Sequence, residues 1–110
     1  MATPELLRSW AQTEAFLRDA KAHLSQTAEA EFADSIAEFV EFIEHNELGL
    51  AFDTLESIAN ESQWESHRVL ELLALAAASM GLRDRQRVID EQLSNLKGWK
   101  YETSLRVGDA

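Results

Sequence analysis

Apolar residues along this chain recur at steps of three and four, and no alternating run lasts long enough to make a strand. The first series, Leu6, Trp10, Thr13, Leu17, Ala20 and Leu24, is one seam on a single helix face. Thr3-Pro4-Glu5 starts that helix with a hydroxyl cap, a proline at the first helical position and an acid near the positive end of the dipole. The seam is expected to lie against the rest of the molecule; pairing of two copies through it is the alternative. Ser25-Gln26-Thr27 interrupts the pattern, and Thr27 is expected to cap the next helix, with Glu29 and Glu31 in its first turn. In that helix Phe32, Ile36, Phe39, Val40 and Ile43 form the apolar stripe, and Glu31, Asp34, Glu38 and Glu41 fall on the opposite side.

His45-Asn46 is a short corner, so the following helix should return antiparallel. Its core face reads Leu48, Ala51, Phe52, Leu55, Ile58 and Ala59, while Asp53, Asn60 and Glu61 point away. Leu50 lies off the stripe among acids: either an anchor for a partner or a residue packed under the first helix. Gly49 is expected to allow close helix approach at the corner. From Trp64 to Gly81 the apolar residues Val69, Leu70, Leu72, Leu73, Leu75, Ala76, Ala77 and Met80 surround the helix, which marks it as the central element. Gly81 supplies a left-handed end. Arg83-Asp84-Arg85-Gln86-Arg87 opens the last helix, with Val88, Ile89, Leu93 and Leu96 expected inward and Gly98 closing it. Trp99 and Tyr101 are placed to fold back, and 98–110 reads as a loosely specified tail. The pattern therefore predicts an all-α protein, a small antiparallel helical bundle of about five helices in a single domain over residues 1–110. The pair at 28–62 has the dimensions of a tetratricopeptide-like unit, but a solenoid needs about three such pairs.

Composition adds a sign. Twenty acids stand against ten lysines and arginines, a formal charge of −10. Between Lys21 and Arg68 no lysine or arginine occurs, while acids continue from Glu29 to Glu65. Solubility alone does not require such segregation. Like charges at i, i+3 and i+4 repel by a few tenths of a kcal/mol per pair, and nothing on the second helix offsets this. A local rule broken without a folding benefit tends to mark functional surface. The field disfavours nucleic acid and anionic membranes as partners and favours a cationic macromolecule. Cysteine is absent, which removes thiol chemistry and thiolate metal sites. The N-terminal residues lack the pattern of a secretory signal, and the longest apolar stretch, Leu72 to Met80, is too short for a bilayer. A soluble, cytoplasmic protein is expected.

Catalytic chemistry finds no pattern. His23, His45 and His67 have no HExxH or ExxH context, and no GxSxG, Walker or dinucleotide glycine motif occurs. No metal, no cofactor and no enzymatic activity are expected. Arg83, Arg85 and Arg87 read as surface charge near a helix junction, with anion binding as the alternative. The candidate partner-binding residues are Asp34, Glu38, Glu41, Glu44, Glu47, Leu50, Asp53 and Glu61.

Phe39 and Ile43, then Glu47, Leu48, Leu50, Ala51, Asp53 and Leu55 within ELGLAFDTL, then Glu61 and the closing Met80-Gly81-Leu82 carry a resemblance. The segment from Phe39 to Leu82 resembles the MafI-type immunity proteins of bacterial polymorphic toxin systems. The resemblance implies a small helical protein that binds a cognate toxin, often a nuclease, and protects the producing cell. It does not reach the first helix or the Trp99-Tyr101 tail.

The leading expectation is thus an immunity protein that blocks a basic toxin through the acidic hairpin, as a monomer or weak homodimer. A helical adaptor holding a peptide in a groove is the alternative. A small-molecule enzyme or metal-binding bundle comes third.

Overall fold

A computed structural model of the chain describes residues 3–62 and 67–104. Its helices are α1 (Pro4–Ala22), α2 (Gln26–Glu31), α3 (Ala33–Glu44), α4 (Leu48–Glu61), α5 (His67–Ser79) and α6 (Arg83–Lys97). No strand occurs among the described residues, so the all-α class holds.

α1 begins as its sequence dictates: Leu6 N–H donates to Thr3 Oγ1 at 3.1 Å, with Pro4 in the first turn. Of its seam, Thr13, Leu17, Ala20 and Leu24 are buried and Trp10 is half-buried, whereas Leu6 is 42% exposed; α1 packs chiefly on α5. From Thr13 onward the seam is therefore packed inside the chain. Thr13 is polar and buried, and its hydroxyl is satisfied. It lies 2.6 Å from Ser79 Oγ and 3.0 Å from its acceptor, the Ser9 carbonyl, while the Ser79 hydroxyl reaches the Ala76 carbonyl at 2.8 Å.

The expected second helix is two. Ser25, not Thr27, caps α2, accepting from Ala28 N–H at 3.0 Å. The backbone then bends at Phe32 (φ −110°, ψ 31°) before α3. Hydrogen bonds continue on both sides, Phe32 N–H to Ala28 O and Ile36 N–H to Phe32 O, each 2.9 Å. No proline or glycine marks the bend, so the apolar period runs straight through it.

The corners follow local chemistry. Asn46 adopts φ 56°, its N–H donates to Ile43 O at 3.1 Å, and Glu47 N–H donates to Phe42 O at 2.8 Å. Gly81 repeats the arrangement at φ 74°, with Gly81 N–H to Ala78 O at 3.1 Å and Leu82 N–H to Ala77 O at 2.9 Å. Both are left-handed helix ends of the Schellman kind, and asparagine and glycine are the residues that tolerate them. Gly49 has no such role. A methyl group there would meet nothing within 4 Å, so the expected close approach at the corner is absent.

α4 buries Leu48, Ala51, Phe52, Leu55, Ile58 and Ala59, the stripe read from its period. α5 is central, packed on α1, α4 and α6, and buries Val69, Leu72, Leu73, Ala74, Ala76 and Ala77. Its expected start at Trp64 lies outside the described residues. α6 departs from expectation. Ile89 and Leu93 are buried, but Val88 is 52% and Leu96 56% exposed. Val88 lies about 100° round the helix from Ile89, so both cannot face α5, and Leu96 sits on the last turn before Gly98.

Asp90 is buried on α6 instead, and it holds the chain that follows. Thr103 donates to its carboxylate twice, from N–H at 3.0 Å and from Oγ1 at 2.5 Å. Gln86 Nε2 donates to Thr103 O at 3.1 Å, and Tyr101 N–H donates to Ser94 Oγ at 2.8 Å. The segment expected to be a loose tail from residue 98 is thus a strap on α6 through Thr103. Tyr101 folds back as anticipated, whereas Trp99 stays 58% exposed.

Candidate protein-binding surface

The candidate residues lie on α3, on the corner after it and on α4. Asp34, Glu38, Glu41 and Glu44 are all exposed on α3 because Phe39 and Ile43 seat its opposite side on α4. Glu47 is exposed at the corner and makes no side-chain cap for α4. Leu50, one turn further, is 48% exposed; it does not pack under α1. These residues share the corner end of the hairpin, except Asp34, which begins α3. Glu61 is exposed at the other end of α4, about 20 Å from the corner by helix rise.

Among the described residues, none of Asp34, Glu38, Glu41, Glu44, Glu47 and Glu61 forms an ion pair with a lysine or arginine. Glu41 and Glu44 also stand in the last turn of α3, which has no basic residue to oppose them. Carboxylates there face the negative end of the helix dipole. Glu38, Glu41 and Glu44 therefore work against α3 through mutual repulsion, and the last two through the dipole as well, whereas the dipole favours Asp34 in the first turn.

Asp53 behaves differently. Arg85 arrives from α6 and binds the carboxylates of Asp53 and Glu56, the latter at 2.6 Å, while its guanidinium lies 4.6 Å from the centre of the Phe52 ring. Burial alone would lower the Arg85 pKa, but its hydrogen bonds to Glu56 and Asp53 outweigh that and raise it. Asp53 is thus part of a clasp between α4 and α6, and the arginine that neutralises it is one that reads from sequence as plain surface charge. Sequence spacing offers no hint of the pairing, since the partners are 32 residues apart.

His45 is the one titratable base at the corner. Its Nδ1–H donates to Glu41 O at 2.8 Å. That bond chiefly raises its pKa above the ordinary 6.5, against an opposing effect of desolvation and with help from the nearby Glu41, Glu47 and Glu44 charges. Falling pH therefore places a positive charge in the middle of the acidic corner.

Among the described residues no buried side-chain nitrogen or oxygen lacks a hydrogen-bond partner. A shallow, open groove runs between α6 and the strap, but Gln86, Asp90, Ser94 and Thr103 on its wall already hydrogen-bond one another or the strap backbone. Among the described residues no cluster of three His, Asp or Glu side chains is arranged to hold a metal ion. No helix among them is long and apolar enough to cross a membrane. What the hairpin can do chemically is present fixed negative charge, with one exposed leucine beside it, to a partner. Comparison with protein-family models, with curated proteins and with solved structures finds no match.

Proposed function

We propose that this chain is an immunity protein that binds and neutralises a cognate cationic protein toxin, a basic nuclease being the type that fits best. It acts by occupying the toxin rather than by catalysis, in the cytoplasm of the cell that makes both. The observation that carries this reading is the exposed row Asp34, Glu38, Glu41, Glu44 and Glu47, which forms no ion pair with a lysine or arginine among the described residues, with Leu50 exposed one turn past Glu47. A nuclease must carry cationic groups to hold phosphates, and a rigid carboxylate row competes for those groups. The net charge of −10 steers such a partner in, and an apolar anchor slows its release. The resemblance of Phe39 to Leu82 to MafI-type immunity proteins points the same way. Asp53 and Glu56 are held by Arg85, so the contact belongs to α3 and the corner.

The test is capture of the toxin encoded beside this gene, at low and high salt, by the native chain and by a Glu38→Lys/Glu41→Lys variant. Tight, salt-sensitive binding lost in the folded variant is the expected result. Binding indifferent to the reversal removes the acidic row from the mechanism. An adaptor reading would instead require peptide binding with little salt dependence.

A further inference from the structure

α3 and α6 are the two outer helices of this bundle. α1 lies on α4 and α5, α4 on α1, α3 and α5, and α5 on α1, α4 and α6. α3 has α4 along its length and the short α2 at its start; α6 has α5 along its length and reaches α4 through Arg85. The free flank of α6 is covered by the strap through Tyr101 and Thr103. On α3 the main neighbour among the described residues is α4, and the flank beside that contact includes exposed positions. That flank consists of Ile36 and Val40, half-buried, and Ala33 and Ala37, exposed. By the 3.6-residue period these four run from the edge of the core directly to the row Asp34, Glu38 and Glu41, with only Glu44 interrupting at the far end. A strip that runs from core-packed Ile36 and Val40 to exposed Ala33 and Ala37 thus lies beside a carboxylate row on the outer side of α3.

We infer that this α3 flank seats an amphipathic helix of the partner, its apolar stripe on Ala33, Ile36, Ala37 and Val40 and its lysines or arginines on Asp34, Glu38 and Glu41. The inference deepens the proposed function and rests on it for the identity of the partner. Charge selects the occupant. A second copy of this chain would set one acidic row against another, and an anionic lipid surface would be repelled. A cationic helix meets the row with opposite sign, and the exposed alanines let its backbone approach closely. The acids then govern how fast the partner arrives and the strip how slowly it leaves.

The test uses the full chain and a synthetic helical peptide of leucine and lysine set at the 3.6-residue period, with a scrambled peptide of the same composition and polylysine as comparisons. Backbone amide shifts are followed by NMR and affinities by titration. The expected result is perturbation centred on Ala33, Ile36, Ala37 and Val40, and binding at least about tenfold tighter than the scrambled peptide. Ala37→Glu, at an exposed helical position, separates the two forces. If charge alone holds the peptide, an added carboxylate tightens binding; if the strip seats it, binding weakens by about tenfold. Tighter binding to Ala37→Glu, equal binding of the scrambled peptide or polylysine, or shifts centred elsewhere overturns the inference. The same variant distinguishes this failure from that of the immunity reading. Toxin binding lost in Glu38→Lys but intact in Ala37→Glu overturns the seat and leaves the immunity reading standing. A peptide seated on α3, with no toxin captured by the native chain, supports the seat and overturns that reading.

Discussion

The two outer helices solve the same problem in opposite ways. α6 has one main helical neighbour, α5, reaches α4 through Arg85, and closes several of its polar groups into partnerships. Asp90 takes both donors of Thr103, and Arg85 clasps Asp53 and Glu56. Lys97 reaches Glu71 at 2.8 Å, where Arg68 also lies at 3.3 Å. α3 likewise has one long neighbour, yet Asp34, Glu38, Glu41 and Glu44 form no ion pair among the described residues. Charge on α6 and its neighbours serves the fold. Charge on α3 opposes it, and the contrast locates the surface that is open to a partner.

The comparison breaks most decisively if charge on α3 proves irrelevant to binding. Glu38→Lys/Glu41→Lys should weaken capture of a cationic partner by about 100-fold or more at low salt, with the melting temperature held or raised. Asp90→Ala should do the reverse. It leaves the Thr103 N–H and hydroxyl without their acceptor and should cost about 2 kcal/mol of stability, with partner affinity unchanged. Chemical denaturation alongside binding titration checks both, and a loss of binding in Asp90→Ala would erase the division of labour.

Glu71 sharpens the contrast through pH. Burial tends to raise its pKa, but hydrogen bonds from Lys97 and Arg68, with their charges, bring it below the ordinary 4.5. A carboxylate lowered on folding contributes stability above its unfolded pKa and loses that contribution as pH falls through the folded one. Glu71→Gln should therefore cost about 1 kcal/mol near neutrality. The gap from the native chain should close as the solution is acidified below about pH 4.5. A gap independent of pH would mean that the ion pairs contribute nothing. Gly49→Ala tests the corner: with open space around the position, alanine should stabilise α4 by about 0.5–1 kcal/mol. Destabilisation on thermal melting would mean that the glycine is needed after all.

What could be read from sequence divides along the line between local and distant causes. The buried stripe of α4 from Leu48 to Ala59 follows from period alone, and the left-handed ends at Gly81 and Asn46 from residue chemistry and a short corner. The exposure of Glu38 and Glu41 follows equally, because Phe39 and Ile43 dictate the inward side. The bend at Phe32 has no breaker residue to announce it. Asp90 with Thr103 and Arg85 with Asp53 join residues 13 and 32 positions apart. No helical period carries that information, so the strap reads as a loose tail and Asp53 as a free acid. Val88 errs for a different reason: two adjacent apolar residues compete for one inward position, and Ile89 takes it.

The smallest expected effect tests the premise most directly. Glu41 has Glu38 and Glu44 one turn away on either side and faces the negative end of the α3 dipole. Removing its charge as Glu41→Gln should raise stability by a few tenths of a kcal/mol, opposite in sign to Glu71→Gln. His45 gives the gain a pH dependence. Its pKa is raised in the folded state by its bond to Glu41 O and the surrounding acids, so its favourable contribution is present below about 6.5 and lost as pH rises through the folded value. At low pH the protonated ring offsets part of the repulsion on Glu41; at high pH it does not. The advantage of Glu41→Gln should consequently be larger at about pH 8.5 than at about pH 5.5, measured by urea denaturation at both. A loss of stability in Glu41→Gln would make the acidic row part of what holds α3 together, and the two outer helices would no longer differ in kind.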